Sequence, residues 1–148
     1  MEYRKIADEA GLATYALIFA AGDEAAAELA RFARETGVNG AQLSGIGAAS
    51  AATLGWFDFA AKRYDPIRIG EQAEVVSLLG DIATTPDGAP QVHAHVVVAK
   101  RDGAAFGGHL LELHVNPTLE VIVTETPTHL RKRALPDLPV ATIRLAES

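Results

Sequence analysis

The sequence predicts an α/β chain in which one long helix stands among several strands. Two observations carry this. The stretch from Glu24 to Thr36 has helical apolar spacing between capping residues. Most other apolar runs are short, β-branched or aromatic, and separated by Gly, Pro, Asn and Asp.

In chain order, Tyr3 to Ala7 reads as a short edge strand and Thr14 to Ala20 (TYALIFA) as a firmer one, ended by Gly22. Asp23 is the expected N-cap of the helix and Gly37 its C′ residue. Ala26, Leu29, Ala30 and Ala33 make a narrow apolar stripe with Phe32 beside it. Arg31 and Glu35 form an i,i+4 pair on the wet side. Ala41 to Ala52 is rich in Gly, Ala and Ser, and Gly45 and Gly47 around Ile46 suggest a bend or a close backbone approach. A phosphate loop would want a helix start and usually a lysine, which GIGAAS lacks. Thr53 to Ala60 reads as an aromatic strand, and Trp56, Phe57, Phe59 and Tyr64 as core or subunit contact. Asp65-Pro66 is expected to break the chain before a short extended piece, Ile67 to Ile69. Ala73 to Ala83 is a long strand, followed by a polar loop from Thr84 to Pro90. Asn116-Pro117 predicts a turn, Leu119 to Thr126 a strand, and Ala141 to Leu145 a last short one. No repeat, linker or low-complexity tract interrupts residues 1–148, which read as one domain.

Composition narrows the function classes. A chain of 148 residues can bury roughly 68–70% of its unfolded surface. The formal charge is −6, and the longest basic run is Arg131-Lys132-Arg133. Affinity for DNA rests on cations that displace counterions from phosphate, so this balance argues against direct DNA binding. Cysteine is absent, which excludes disulfides and thiolate metal sites and fits a reducing, cytoplasmic setting. The N-terminus MEYRKIADEAG has no apolar signal-like region, and no apolar run approaches the roughly 20 residues of a membrane span.

The chemistry concentrates between Gln91 and Val115, which holds four of the 5 histidines. His93 and His95 are two apart on a predicted strand and so share a face. Asp102-Gly103 is a two-residue hairpin signal, after which Gly107-Gly108-His109 leads into a second apolar run. A tight turn there sets His95 against Leu110, His93 against Glu112, and His109 against Val96, so that His109 points away from the other two. An extra residue in the return strand, most simply a bulge at Gly107-Gly108, or a wider turn brings His109 to their face. A bulge of that kind would make Gly108→Val weaken metal binding without touching a ligand.

H-x-H, the D-G turn and G-G-H-L together resemble the prokaryotic form of the plants-and-prokaryotes-conserved (PPC) domain. The match extends through Leu43 to Ala48 (LSGIGA) and Glu74 to Ile82 (EVVSLLGDI), and covers about Ala13 to Leu145. The resemblance implies a compact α+β-type domain, with a mostly antiparallel sheet and one main packed helix, usually assembled as a homo-trimer. Plant members place this domain after a DNA-binding AT-hook, and bacterial members are often labelled candidate DNA-binding proteins. The chain has no R-G-R-P hook, and the plant-type G-R-F-E-I is replaced by Glu71 to Val75 (EQAEV).

The expected site is therefore a divalent metal held by His93, His95 and His109, with zinc the first choice because imidazole suits it. Three protein ligands leave a fourth position open, the arrangement of a metal-dependent hydrolase or lyase. The alternatives for the same residues are a polar cluster at a subunit interface and a pocket for a small anionic ligand. A third reading of the chain is a non-catalytic, transcription-related interaction module. A regular strand would send His114 opposite His109, and His129 reads as a surface residue. Glu74 and Glu120, in largely apolar strands, are candidate buried carboxylates, whereas Glu112 falls on the wrong face. No nucleophile with a positioned base is visible, so the catalytic residues are unassigned.

Overall fold

Alternating apolar and polar residues build an extended, twisted sheet around one helix. The computed structural model describes residues 1–127 and 129–144. The strands are β1 (Glu2–Glu9), β2 (Leu12–Ala20), β3 (Gly40–Asp58), β4 (Arg63–Ile69), β5 (Ala73–Thr84), β6 (Pro90–Ala99), β7 (Ala105–Glu125), β8 (Arg131–Ala134) and β9 (Ala141–Arg144), with helix α1 (Ala25–Thr36) after β2. The pairing is antiparallel except for a parallel bridge from Thr84 in β5 to Arg131 in β8. The α+β expectation, with a mostly antiparallel sheet and one packed helix, is met among the described residues. Leu145, expected to end the last strand, lies outside them.

The central strands close a ring. β3 pairs with β5, β5 with β6, β6 with β7, and β7 returns to β3. α1 packs against β6 and β7. Leu29, Phe32 and Ala33 of the helix, Leu54 of β3, Leu78 of β5, Val96 and Val98 of β6, and Leu113 of β7 belong to one buried cluster. Each fully buried aliphatic or aromatic side chain contributes about 1.5–3 kcal/mol relative to exposure, so this cluster is the main source of stability.

The helix begins one residue later than the sequence suggests. Its N-cap is Glu24, whose carboxylate accepts from the N–H groups of Ala26 and Ala27 at 3.1 and 2.7 Å. Asp23 is drawn back toward β2 instead, accepting from Ala20 N–H at 2.8 Å and pairing with the Met1 ammonium at 2.7 Å. Gly37 closes the helix at φ 71°, donating to Ala33 O, as expected. Arg31 meets Glu35 at 2.8 Å and also Glu28 at 2.6 Å.

Two expected interruptions are absent, and of the two readings of Gly45 and Gly47 the close backbone approach holds. Gly40 to Asp58 is one continuous strand, and its glycines mark close approach: a Cβ on Gly45 would lie 2.7 Å from Glu120 O, and one on Gly47 would lie 2.6 Å from Leu119 Cα. β7 runs through Asn116-Pro117, a cis peptide, with no turn. Pro66 does not break the chain, because β4 pairs only with β3 and an edge strand tolerates the missing N–H. Trp56 and Phe59 are exposed, which removes them from the core; Phe57 and Tyr64 are half-buried. Glu74 and Glu120 sit at outward positions and are exposed, so neither is a buried carboxylate.

Candidate metal centre

Strand alternation divides β6 into two faces. Ala94, Val96 and Val98 point into the core, while His93 and His95 point away from it. The return strand then decides whether His109 joins them. It does: in the β6–β7 ladder His95 faces His109 directly, followed by Val96 with Gly108, Val97 with Gly107, Val98 with Phe106 and Ala99 with Ala105.

The register comes from a wider turn and not from a bulge at Gly107-Gly108. Gly103 N–H donates to Lys100 O, Lys100 N–H donates to Ala104 O, and Gly103 has φ 83°. That is a three-residue loop whose last residue is left-handed, a common hairpin connection. Asp102 stabilises it by accepting from Ala104 N–H at 3.0 Å. The expected two-residue turn is thus replaced by one residue more of loop. Every facing pair shifts by one, and His109 changes face.

The three imidazoles surround one point. Their ring centroids are 5.3 Å (His93–His95), 5.2 Å (His93–His109) and 5.4 Å (His95–His109) apart. One nitrogen from each lies within 4.8 Å of the others. His95 is the exposed member, while His93 and His109 are half-buried.

Neighbouring strands fix these rings. Asp81 in β5 faces His93, and its Oδ2 lies 3.3 Å from His93 Nδ1. A carboxylate on one imidazole nitrogen orients the other toward a metal and raises its basicity. Lys132 in β8 is buried and brings Nζ to 3.2 Å from Asp81 Oδ1, although Oδ1 is left without an aligned hydrogen bond. Tyr64 in β4 stacks on His109 at 4.6 Å between centroids, with an 18° tilt. Gly55 in β3 makes this possible. It faces His109, and a Cβ there would lie 2.7 Å from Tyr64 Cδ1.

Electrostatics favour the neutral form of His95 and His109. Burial, aided by the nearby His93, His95 and Lys132, lowers the His109 pKa to about 4. Burial and His93 also lower that of His95. Burial by itself would raise the Asp81 carboxyl, but its contacts with His93 and Lys132 outweigh that and leave it below the ordinary value. His109 Nδ1 is buried with no hydrogen-bond partner, the kind of orphaned polar atom that a metal ion or ordered solvent satisfies. Three converging imidazoles, a carboxylate behind one of them and an orphaned ring nitrogen together fit a divalent cation. Such an ion would supply Lewis acidity and lower the pKa of a bound water.

Other candidates fall outside the cluster. A register shift at Leu111 turns His114 toward the face away from the core, but its Nε2 pairs with Glu112 at 3.2 Å. Glu112 also accepts from Thr53 Oγ1 at 3.3 Å. His129 is exposed, as expected. Asp81, Lys132 and Tyr64 escaped the sequence reading. The strand period could have found Lys132, since one residue of Arg131-Lys132-Arg133 must face away from its neighbours.

Comparisons with known proteins agree with this architecture. A candidate DNA-binding protein from Bacteroides thetaiotaomicron superposes with a TM-score of 0.87 at 28% identity, covering 97% of this chain and 96% of that one. A metal-containing protein from Archaeoglobus fulgidus superposes with a TM-score of 0.80 at 25% identity, over 98% of this chain and 99% of that one. The bifunctional protein GlmU of a Synechococcus strain is 36% identical over 100 residues, which are 67% of this chain but only 15% of that protein's length. The profile of the Plants and Prokaryotes Conserved (PCC) domain matches residues 7–127, a span that contains the helix, the closed ring and all three clustered histidines. On that match the chain belongs to the PCC domain family.

Proposed function

We propose that this chain is a metal-binding member of its family, in which His93, His95 and His109 hold one divalent ion, zinc before others. The single observation that carries the reading is the convergence of one nitrogen from each histidine to within 4.8 Å of the others. The Archaeoglobus relative described as metal-containing supports it. The ion's open position would give the site the chemical capacity of a hydrolase or lyase, with its catalytic residues unassigned. We further propose a trimer in a reducing, cytoplasmic setting. Support for assembly is the apolar outer face formed by Ile18, Ile46, Val76, Leu79 and Ile122, all exposed in the single chain. Leu79 faces His95, so this surface borders the metal centre.

The competing reading is a DNA-associated, non-catalytic module, after the neighbours so described. Charge weighs against direct contact: the formal net is −6, and the middle residue of the longest basic run, Lys132, is buried. Metal analysis separates the readings. After equilibration with zinc and dialysis, the wild type should retain one zinc per chain and His95→Ala none, with unchanged circular dichroism. A wild-type chain that retains no more zinc than His95→Ala refutes the metal site.

A further inference from the structure

We propose that the cavity beside the three histidines binds a small oxyanion, a carboxylate or a phosphate, with one oxygen on Lys132 Nζ and another at the open position of the metal. The inference rests on the metal reading above and deepens it. The cavity measures about 160 Å³ and is lined by Tyr64, His93, His109 and Lys132, with Val92 and Val140 among its apolar walls. At about 30 Å³ for each water-sized unit, it admits a ligand of about five non-hydrogen atoms.

Lys132 is the reason to expect an anion. Its side chain is 3% exposed, and a buried ammonium is costly unless its charge and its donors are engaged. An ammonium has three N–H donors. Among the described residues its one ion-pair partner is Asp81 Oδ1, at 3.2 Å and without hydrogen-bond alignment. The other Asp81 oxygen is taken by His93. Lys132 therefore brings to the cavity that His93 and His109 line donors that no hydrogen bond among the described residues engages. A divalent ion on the three histidines, with Lys132 set against Asp81, leaves a net positive centre beside a partly enclosed pocket, where charge interactions are stronger than in open water.

Cobalt(II) in place of zinc makes the site visible, and acetate and inorganic phosphate are titrated separately at fixed ionic strength. In the wild type, at least one anion should change the cobalt spectrum saturably, and the better ligand identifies the oxyanion class. Lys132→Met should bind that anion about ten- to a hundredfold more weakly, as for losing a charged hydrogen bond, while still holding one cobalt. Lys132→Arg should retain most of the affinity. Equal affinity in the wild type and Lys132→Met would reduce the lysine to a neutraliser of Asp81 and overturn the proposal, as would a wild-type spectrum that neither anion alters. Should Lys132→Met lose cobalt, Lys132→Gln keeps a donor beside Asp81 without the ammonium charge, and wild-type anion affinity there overturns the proposal equally. Failure of the wild type to take up cobalt is a different result, which refutes the metal centre itself and the anion site with it.

Discussion

His109 carries the strongest consequence at the scale of single residues. Its folded pKa of about 4 lies below the 6.5 of a free histidine, so between those values the unfolded chain binds more protons than the folded one. The sign follows: this residue's contribution to stability rises with pH from about 4 to 6.5 and is level above that. His95, also lowered, acts in the same direction. Asp81 works lower on the scale. Its folded pKa is depressed below 3.8, so its stabilisation is present above that value and is lost only on further acidification. Metal-free protein should therefore melt at a lower temperature at pH 5 than at pH 7, and His109→Leu should flatten that difference in calorimetry. An unchanged pH slope in the variant would show that His109 is not the group responsible. Asp81→Asn should weaken zinc binding by about 10–100-fold, the usual cost of losing a carboxylate behind a ligating imidazole, as read by competition with a chromophoric chelator.

At the scale of elements, the site depends on strand register and on missing side chains. The clustering of His93 and His95 was legible in the sequence because strand alternation is local. The position of His109 was legible only as a condition. Asp102-Gly103 suits a two-residue turn, but a glycine in the left-handed region also ends a three-residue loop, and the residues alone do not choose between them. Nothing local marked Tyr64 or Asp81 as neighbours, since β4 and β5 bring them in from distant parts of the chain. Likewise, Asn116-Pro117 and Asp65-Pro66 carried turn chemistry that the surrounding pairing overrides. Gly108 keeps its importance for a different reason: it pairs regularly with Val96, and a Cβ there would lie 2.9 Å from Gly55 O and 3.2 Å from Leu54 Cβ. Gly55→Ala is the cleaner test. Crowding Tyr64 should cost about 1–3 kcal/mol, visible in urea unfolding, and should weaken zinc binding as the ring leaves His109. Wild-type stability in Gly55→Ala would show that the close Tyr64 packing has no energetic weight.

For the whole molecule, the closed ring of β3, β5, β6 and β7 sets one face to the helix and leaves the other to solvent and to the histidines. The general α+β layout was legible from apolar runs and from the capped helix. The ring was not, because it depends on which strands pair across long stretches of sequence. The outer apolar face predicts assembly through burial of Ile46 and Leu79, which are 64% and 58% exposed in the single chain. Light scattering at micromolar concentration should give a trimer mass for the wild type, and Leu79→Asp should shift it toward monomer. A monomeric wild type would remove the trimer. Because Leu79 faces His95, zinc affinity should fall on dissociation if assembly shields the centre.

The central claim is that three imidazoles from one hairpin converge on one metal. X-ray absorption at the zinc edge of the loaded protein addresses it most directly, because multiple scattering from imidazole counts the rings around the ion. Three imidazole nitrogens at about 2.0–2.1 Å together with one oxygen ligand are expected, with loss of that pattern in His95→Ala. Zinc surrounded by oxygen ligands, with no imidazole scattering, would contradict it.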